Sequence, residues 1–176
     1  MLKLRPSKRA APRASRGQDL RFDIRDDAVE VGQFVYNRGQ ARGEFNLRGD
    51  RFTVDSRADC ESSLSANAAQ VRKSTAPVYT LKAAGEGLLA RAERDRDVFV
   101  IAHGGESYIL QASRSRRYFH LQREGDVVPL GGVGRRGFWA KSLEMNLPQA
   151  FTASFQVFLA SLLLDLNTQR TADLAT

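Results

Sequence analysis

Cysteine is almost missing from this chain: of 176 residues only Cys60 carries a thiol. A lone cysteine excludes an internal disulfide framework and makes a reducing compartment the expectation. Histidine is nearly as scarce. His103 and His120 are the only two, and with no C-x-x-C or H-E-x-x-H spacing a zinc centre lacks its ligand pattern. Either histidine has the chemistry of a general base. Nothing in the sequence sets a nucleophile beside it, so the chain is expected to be non-enzymatic, with no catalytic residue, metal or cofactor. Acids are absent from residues 1–17, where Lys3, Arg5, Lys8, Arg9, Arg13 and Arg16 supply six of the net seven positive charges. The body is therefore nearly neutral, and no specific nucleic-acid surface is expected of it. With Pro6, Pro12 and Gly17 among those charges, residues 1–17 are predicted to be a disordered basic tail. No secretory apolar region follows it, which fits a cytoplasmic protein.

Long apolar runs are also lacking, with one exception. Residues 146–167 read as a helix, with Pro148 suited to its first turn, Asn146 or Leu147 to its cap and Asn167 to its stop; the core of the element is set at 147–166. Phe151, Phe155, Phe158, Leu162 and Leu166 form one stripe and Ala153, Val157, Ala160 and Leu164 another, leaving a thin polar seam of Ser154, Ser161 and Asp165. A helix apolar on nearly every face is buried on all sides or lies in a membrane. Its polar residues and the absence of a flanking basic cluster favour burial, so no transmembrane span is expected.

Elsewhere the period is two. Leu20, Phe22 and Ile24 alternate with charged residues, and Val29, Val31, Gln33 and Val35 continue against Glu30, Gly32, Phe34 and Tyr36. Phe45–Leu47 and Phe52–Val54 flank a Gly49–Asp50 turn. Tyr79–Ala83 and Leu88–Ala92 flank Gly85–Gly87, and Val98–Ala102 and Ser107–Gln111 flank a Gly104–Gly105 turn. Tyr118–Gln122, Val127–Leu130 and Gly137–Leu143 complete the set; residues 57–76 show no period. Ten to twelve short strands joined by turns too short for parallel crossovers form an antiparallel sheet, and so many strands curl and close. A barrel of that size is too wide for its own side chains to fill. The helix is the one element able to occupy it.

A run of short antiparallel strands from about residue 20, ending in Leu147-Pro148-Gln149 and a wholly apolar helix, resembles the tubby C-terminal-like superfamily, which includes tubby proteins, LURP-one-related proteins and phospholipid scramblases. The resemblance covers about residues 18–170 and leaves 171–176 as a tail. It implies a mainly β fold: a closed antiparallel barrel of about twelve strands around a central hydrophobic helix. Among functions it implies phosphoinositide binding through basic residues in some members and a link to lipids and calcium in others. Asp95-Arg96-Asp97 lacks the further carboxylates, glycine and terminal glutamate of a calcium loop, so calcium is not expected.

The remaining motifs divide by chemistry. Gly131 to Gly137 lacks the Lys-Ser/Thr of a phosphate loop and reads as a glycine-rich hairpin or bulge. Arg48-Gly49-Asp50 reads as a turn. Arg114, Arg116 and Arg117, with Arg135, Arg136 and Lys141, form two basic clusters that together with the tail cations offer a site for anionic lipid headgroups. The bland role of such residues is solubility and edge protection. Alternatives of other classes are a protein-interaction module and a lipocalin-like carrier of a small apolar ligand with its helix outside the barrel.

Overall fold

The computed structural model of the chain describes residues 1–7, 19–37, 39–57, 77–85, 87–115, 117–135 and 142–173. Twelve strands run β1 (Leu2–Pro6), β2 (Asp19–Asp26), β3 (Val29–Asn37), β4 (Arg42–Leu47), β5 (Asp50–Arg57), β6 (Val78–Ala83), β7 (Gly87–Asp95), β8 (Val98–His103), β9 (Glu106–Ala112), β10 (Tyr118–Arg123), β11 (Gly131–Arg135) and β12 (Leu143–Asn146), followed by α1 (Ala153–Asp173). Each strand pairs antiparallel with its sequence neighbours, and β1 pairs with both β2 and β12, closing the barrel. The expected fold class is thus the observed one.

Local chemistry sets the turns. Arg48 and Gly49 both take positive φ (51° and 101°), as do Gly104 and Gly105 (60° and 81°). Two consecutive left-handed residues match the twist of the flanking strands, which is why such pairs close tight hairpins. Inward positions carry the aromatics. Phe22, Phe34, Phe45 and Phe52 are directly opposed across β2 to β5, with ring centroids 6.1, 6.0 and 4.9 Å apart in succession. Each opposed pair contributes about 0.2–1 kcal/mol.

The helix lies inside this wall. From Phe155 to Leu166 its apolar side chains are buried on every face. It fills the interior of the barrel, the place the sequence assigned to it. Among the described residues no helix is long and apolar enough to cross a membrane.

Five expectations are corrected. Residues 1–17 were expected to be disordered throughout, but Leu2–Pro6 is the strand that closes the barrel, with Leu2 and Leu4 buried in the core. Two inward leucines and two partner strands supply the burial and hydrogen bonds that the composition of the whole stretch conceals. The inward phase of β3 belongs to Phe34 and Tyr36 rather than to Val29 and Val35, because larger rings bury more apolar area, while Val31, at the irregularity in the β2–β3 pairing, is partly buried against the core. Val127–Leu130 is not a strand; β11 instead runs through the glycines, and Tyr118 covers their outer side. The helix starts at Ala153 rather than near Pro148, which sits in a turn where Phe151 N–H donates to the Pro148 carbonyl at 3.1 Å. The Thr152 hydroxyl accepts from Phe155 N–H at 3.3 Å and caps the first turn. At its far end the helix passes Asn167 and the expected boundary at 170, reaching Asp173. Residues 58–76 with Cys60, most of the 137–143 strand, and the chain beyond Asp173 lie outside the described residues.

Candidate anion-binding rim

Strand direction sorts the turns to two ends. The turns after β2, β4, β6, β8 and β10 lie at the upper rim, where β12 ends and α1 begins. The ends of β1, β3, β5, β7, β9 and β11 lie at the lower rim, toward which the helix runs.

The lower rim brings together four of the predicted basic residues. Arg114 stands in the β9–β10 turn, and Ser113 N–H donates to the Tyr118 carbonyl to close it at 2.8 Å. Arg117 immediately precedes β10, and its carbonyl accepts from Arg135 N–H at 3.0 Å. Arg135 ends β11 opposite the buried Leu143 of β12. The next strand in the barrel is β1, where Arg5 lies near the end in the outward phase that it shares with Lys3. Three inter-strand spacings of about 4.8 Å therefore span Arg117 to Arg5, roughly 15 Å of rim.

Arg135 and Arg117 share the inward phase of Val133 and Phe119, two residues along their strands. The Arg135 side chain is exposed at the rim, and the protein beside it lowers its pKa from the usual guanidinium value by desolvation. A guanidinium remains charged under such a shift. Its partial desolvation strengthens attraction to any anion that arrives, because the local dielectric is lower than that of water.

Lys3 belongs elsewhere. It faces outward from the wall, 15% exposed at its side chain, and pairs with Glu144 at 3.4 Å, so its charge is offset locally. Lys8, Arg9, Arg13, Arg16, Arg116, Arg136 and Lys141 lie outside the described residues. Neither histidine sits at this rim. His103 stacks on Phe155 at 4.0 Å and 6°, and its Nδ1, 2.9 Å from the Leu89 carbonyl oxygen, is the donor because that oxygen only accepts. His120 is exposed on the outer wall with its ring against Tyr118. Asp95-Arg96-Asp97 forms the β7–β8 turn with Arg96 at φ 55°.

Just inside the lower rim is a cluster that residue patterns did not reveal. The carboxylate of Asp165, 3% exposed, accepts from the Tyr36 hydroxyl at 2.5 Å and the Tyr79 hydroxyl at 2.6 Å. Burial, then the hydrogen bond to Asp165 and its charge, push the Tyr79 pKa far above its ordinary value; a hydrogen bond from Arg94 opposes the rise. The available signal was an acid in an otherwise apolar helix, which had to find buried donors. Ser161, the other buried member of that seam, satisfies itself by donating to the Phe158 carbonyl at 2.6 Å.

No protein-family model, curated protein or solved structure matches the chain.

Proposed function

We propose that the barrel is a non-enzymatic binding module whose lower rim takes the anionic headgroups of acidic lipids, phosphoinositides among them. The observation that carries this reading is the placement of Arg114, Arg117 and Arg135 side by side at the lower rim, on or next to the paired strands β10 and β11, with Arg5 two strands further round the same rim. The tubby-like resemblance, which implies lipid recognition in some members, points the same way. The lone cysteine favours a reducing compartment and hence the cytoplasmic leaflet, where acidic lipids concentrate.

Each basic side chain near such a surface is worth about 1 kcal/mol, so four contribute roughly 4 kcal/mol, enough for reversible peripheral binding and too little for permanent anchorage. The attraction decays over a Debye length of about 8 Å at physiological ionic strength, so it falls with added salt. Sedimentation with phosphatidylcholine vesicles, with and without phosphatidylserine or a phosphoinositide, tests the proposal. The full chain should co-sediment only with the acidic vesicles, less at high salt, and less again in an Arg114→Ala/Arg117→Ala/Arg135→Ala variant. Binding that ignores salt, or that the triple variant retains in full, defeats it.

A further inference from the structure

The upper rim carries a feature that the lower rim is not shown to have. A cleft of about 690 Å³ opens there between the first turn of the helix and strands β1 to β5. That is within the roughly 300–1,000 Å³ typical of ligand pockets. Leu2, Val31, Leu47, Phe52 and Phe151 supply apolar walls, and Asp26, Asp27 and Asp50 stand among its lining residues.

Other apolar residues are exposed at the same end of the barrel. Of the six large hydrophobic residues exposed in the described chain, Met1, Val29, Leu88, Val127 and Val128 lie at the upper rim, and only Val100 lies on the barrel wall. Scattered exposed apolar residues need no explanation, but a group at one end does. Val29 follows the turn that holds Asp27. Val127 and Val128 sit in the β10–β11 connection, which returns to the cleft wall at Gly131: a Cβ there would collide with the Asn146 carbonyl and meet Leu147 Cα at 3.3 Å. Val128 and Val127 are 73% and 91% exposed, an extent that makes no contribution to this fold.

Charge selects the occupant. Asp26, Asp27, Asp50, Glu106, Glu124 and Asp126 stand in or beside the upper turns, against Arg48, Arg51, Arg123 and the Met1 amine, and Arg123 is taken up by Glu106 at 3.3 Å, which leaves the rim acidic. The amine meets Asp26 at 3.2 Å and Asp27 at 3.0 Å. Exposed pairs of this kind hold weakly and exchange readily for an incoming cation. We propose that the upper rim docks a partner peptide that carries an apolar side chain beside lysines or arginines, the apolar group entering the cleft and the cations meeting the acidic turns. A second copy of this chain fits less well. Its basic lower rim matches the charge, but none of the exposed large hydrophobics of the described chain lies there to fill the cleft.

The test uses the full chain with methyl-labelled valine and leucine, titrated with a fluorescent peptide of alternating leucine and lysine and with its leucine–glutamate counterpart. The lysine peptide should bind about tenfold or more tighter, the ratio expected when only two or three weak charge contacts differ. Its shifts should centre on Val29, Val31, Val127, Val128 and Leu147. Val127→Ser/Val128→Ser, at positions too exposed to affect folding, and separately Asp50→Asn, should each weaken it several-fold. Equal binding of the two peptides, shifts confined to other surfaces, or unchanged affinity in both variants overturns the proposal. Concentration-dependent self-association by analytical ultracentrifugation that the lysine peptide displaces also overturns it, because the occupant is then a second copy.

Discussion

Replacing Asp165 with alanine removes the acceptor shared by two buried phenols. The Tyr36 and Tyr79 hydroxyls approach its oxygens at 2.5 and 2.6 Å in a core where both rings are only 2% exposed. A hydrogen bond to a charged group is worth about 1.5–3 kcal/mol, so losing both costs about 3–6 kcal/mol. Against a total stability of about 5–15 kcal/mol for a domain, that shift is large enough to unfold a fraction of the protein at 37 °C. Tyr36→Phe alone removes one bond and should cost about half as much. Asp165→Asn retains the shape and one good acceptor and should fall between these. Urea titration followed by far-UV circular dichroism measures each value, and a cycle of Tyr36→Phe with Asp165→Asn isolates their coupling. An apolar replacement, Asp165→Leu with Tyr36→Phe and Tyr79→Phe, provides the control, since buried charges exchanged for packed hydrophobics often cost nothing. That variant should recover stability but let the helix occupy more than one depth, seen as broadened methyl resonances from Phe158 contacts. If Asp165→Ala stays within about 1 kcal/mol of the parent, the cluster does not hold the helix and the reasoning from unsatisfied buried donors is wrong here.

Two further predictions follow from neighbouring features. Burial and Asp165 raise the Tyr79 pKa in the folded protein above its ordinary value near 10, so the folded state holds a proton that the unfolded state releases. The associated stability is complete below about pH 10 and is lost as pH rises toward the folded value, by up to about 1.4 kcal/mol per pH unit; urea midpoints from pH 8 to 11 should fall less steeply in Tyr79→Phe. On β11, a methyl at Gly132 would strike the Phe119 backbone oxygen, whereas one at Gly134 meets the Tyr118 ring. A ring can swing and a paired strand cannot, so Gly132→Ala should cost more than Gly134→Ala, at the upper part of the 1–3 kcal/mol typical of overpacking. Trimming the ring in Tyr118→Ala should relieve Gly134→Ala but leave most of the Gly132→Ala cost, as thermal melts of the two double variants would show.

The candidate site was half legible. Arg114, Arg117 and Arg135 were visible as cations beside turns, because charge and turn chemistry are local properties. Their placement on one rim with Arg5, and the separation of Lys3 into a pair with Glu144, depended on which strands lie side by side. The apolar cleft of the upper rim was invisible for the same reason, since its walls come from β1, β3, β4, β5, β12 and the helix start.

Periodicity determined that this chain builds a sheet and one helix apolar on nearly every face, and the polar residues within that helix decided for burial in the protein over a membrane. Short turns made the sheet antiparallel, and strand number made closure the stable outcome. Tertiary structure decided the rest. Five residues at β1 are too few for alternation to stand out from a basic stretch, and their ordering depends on β12, some 140 positions away in the chain. Asp165 looked like a blemish in the helix until Tyr36 and Tyr79, 129 and 86 residues distant, were placed against it. A buried polar group is stable only with its partner, and closure of the barrel is what delivers partners so remote in sequence.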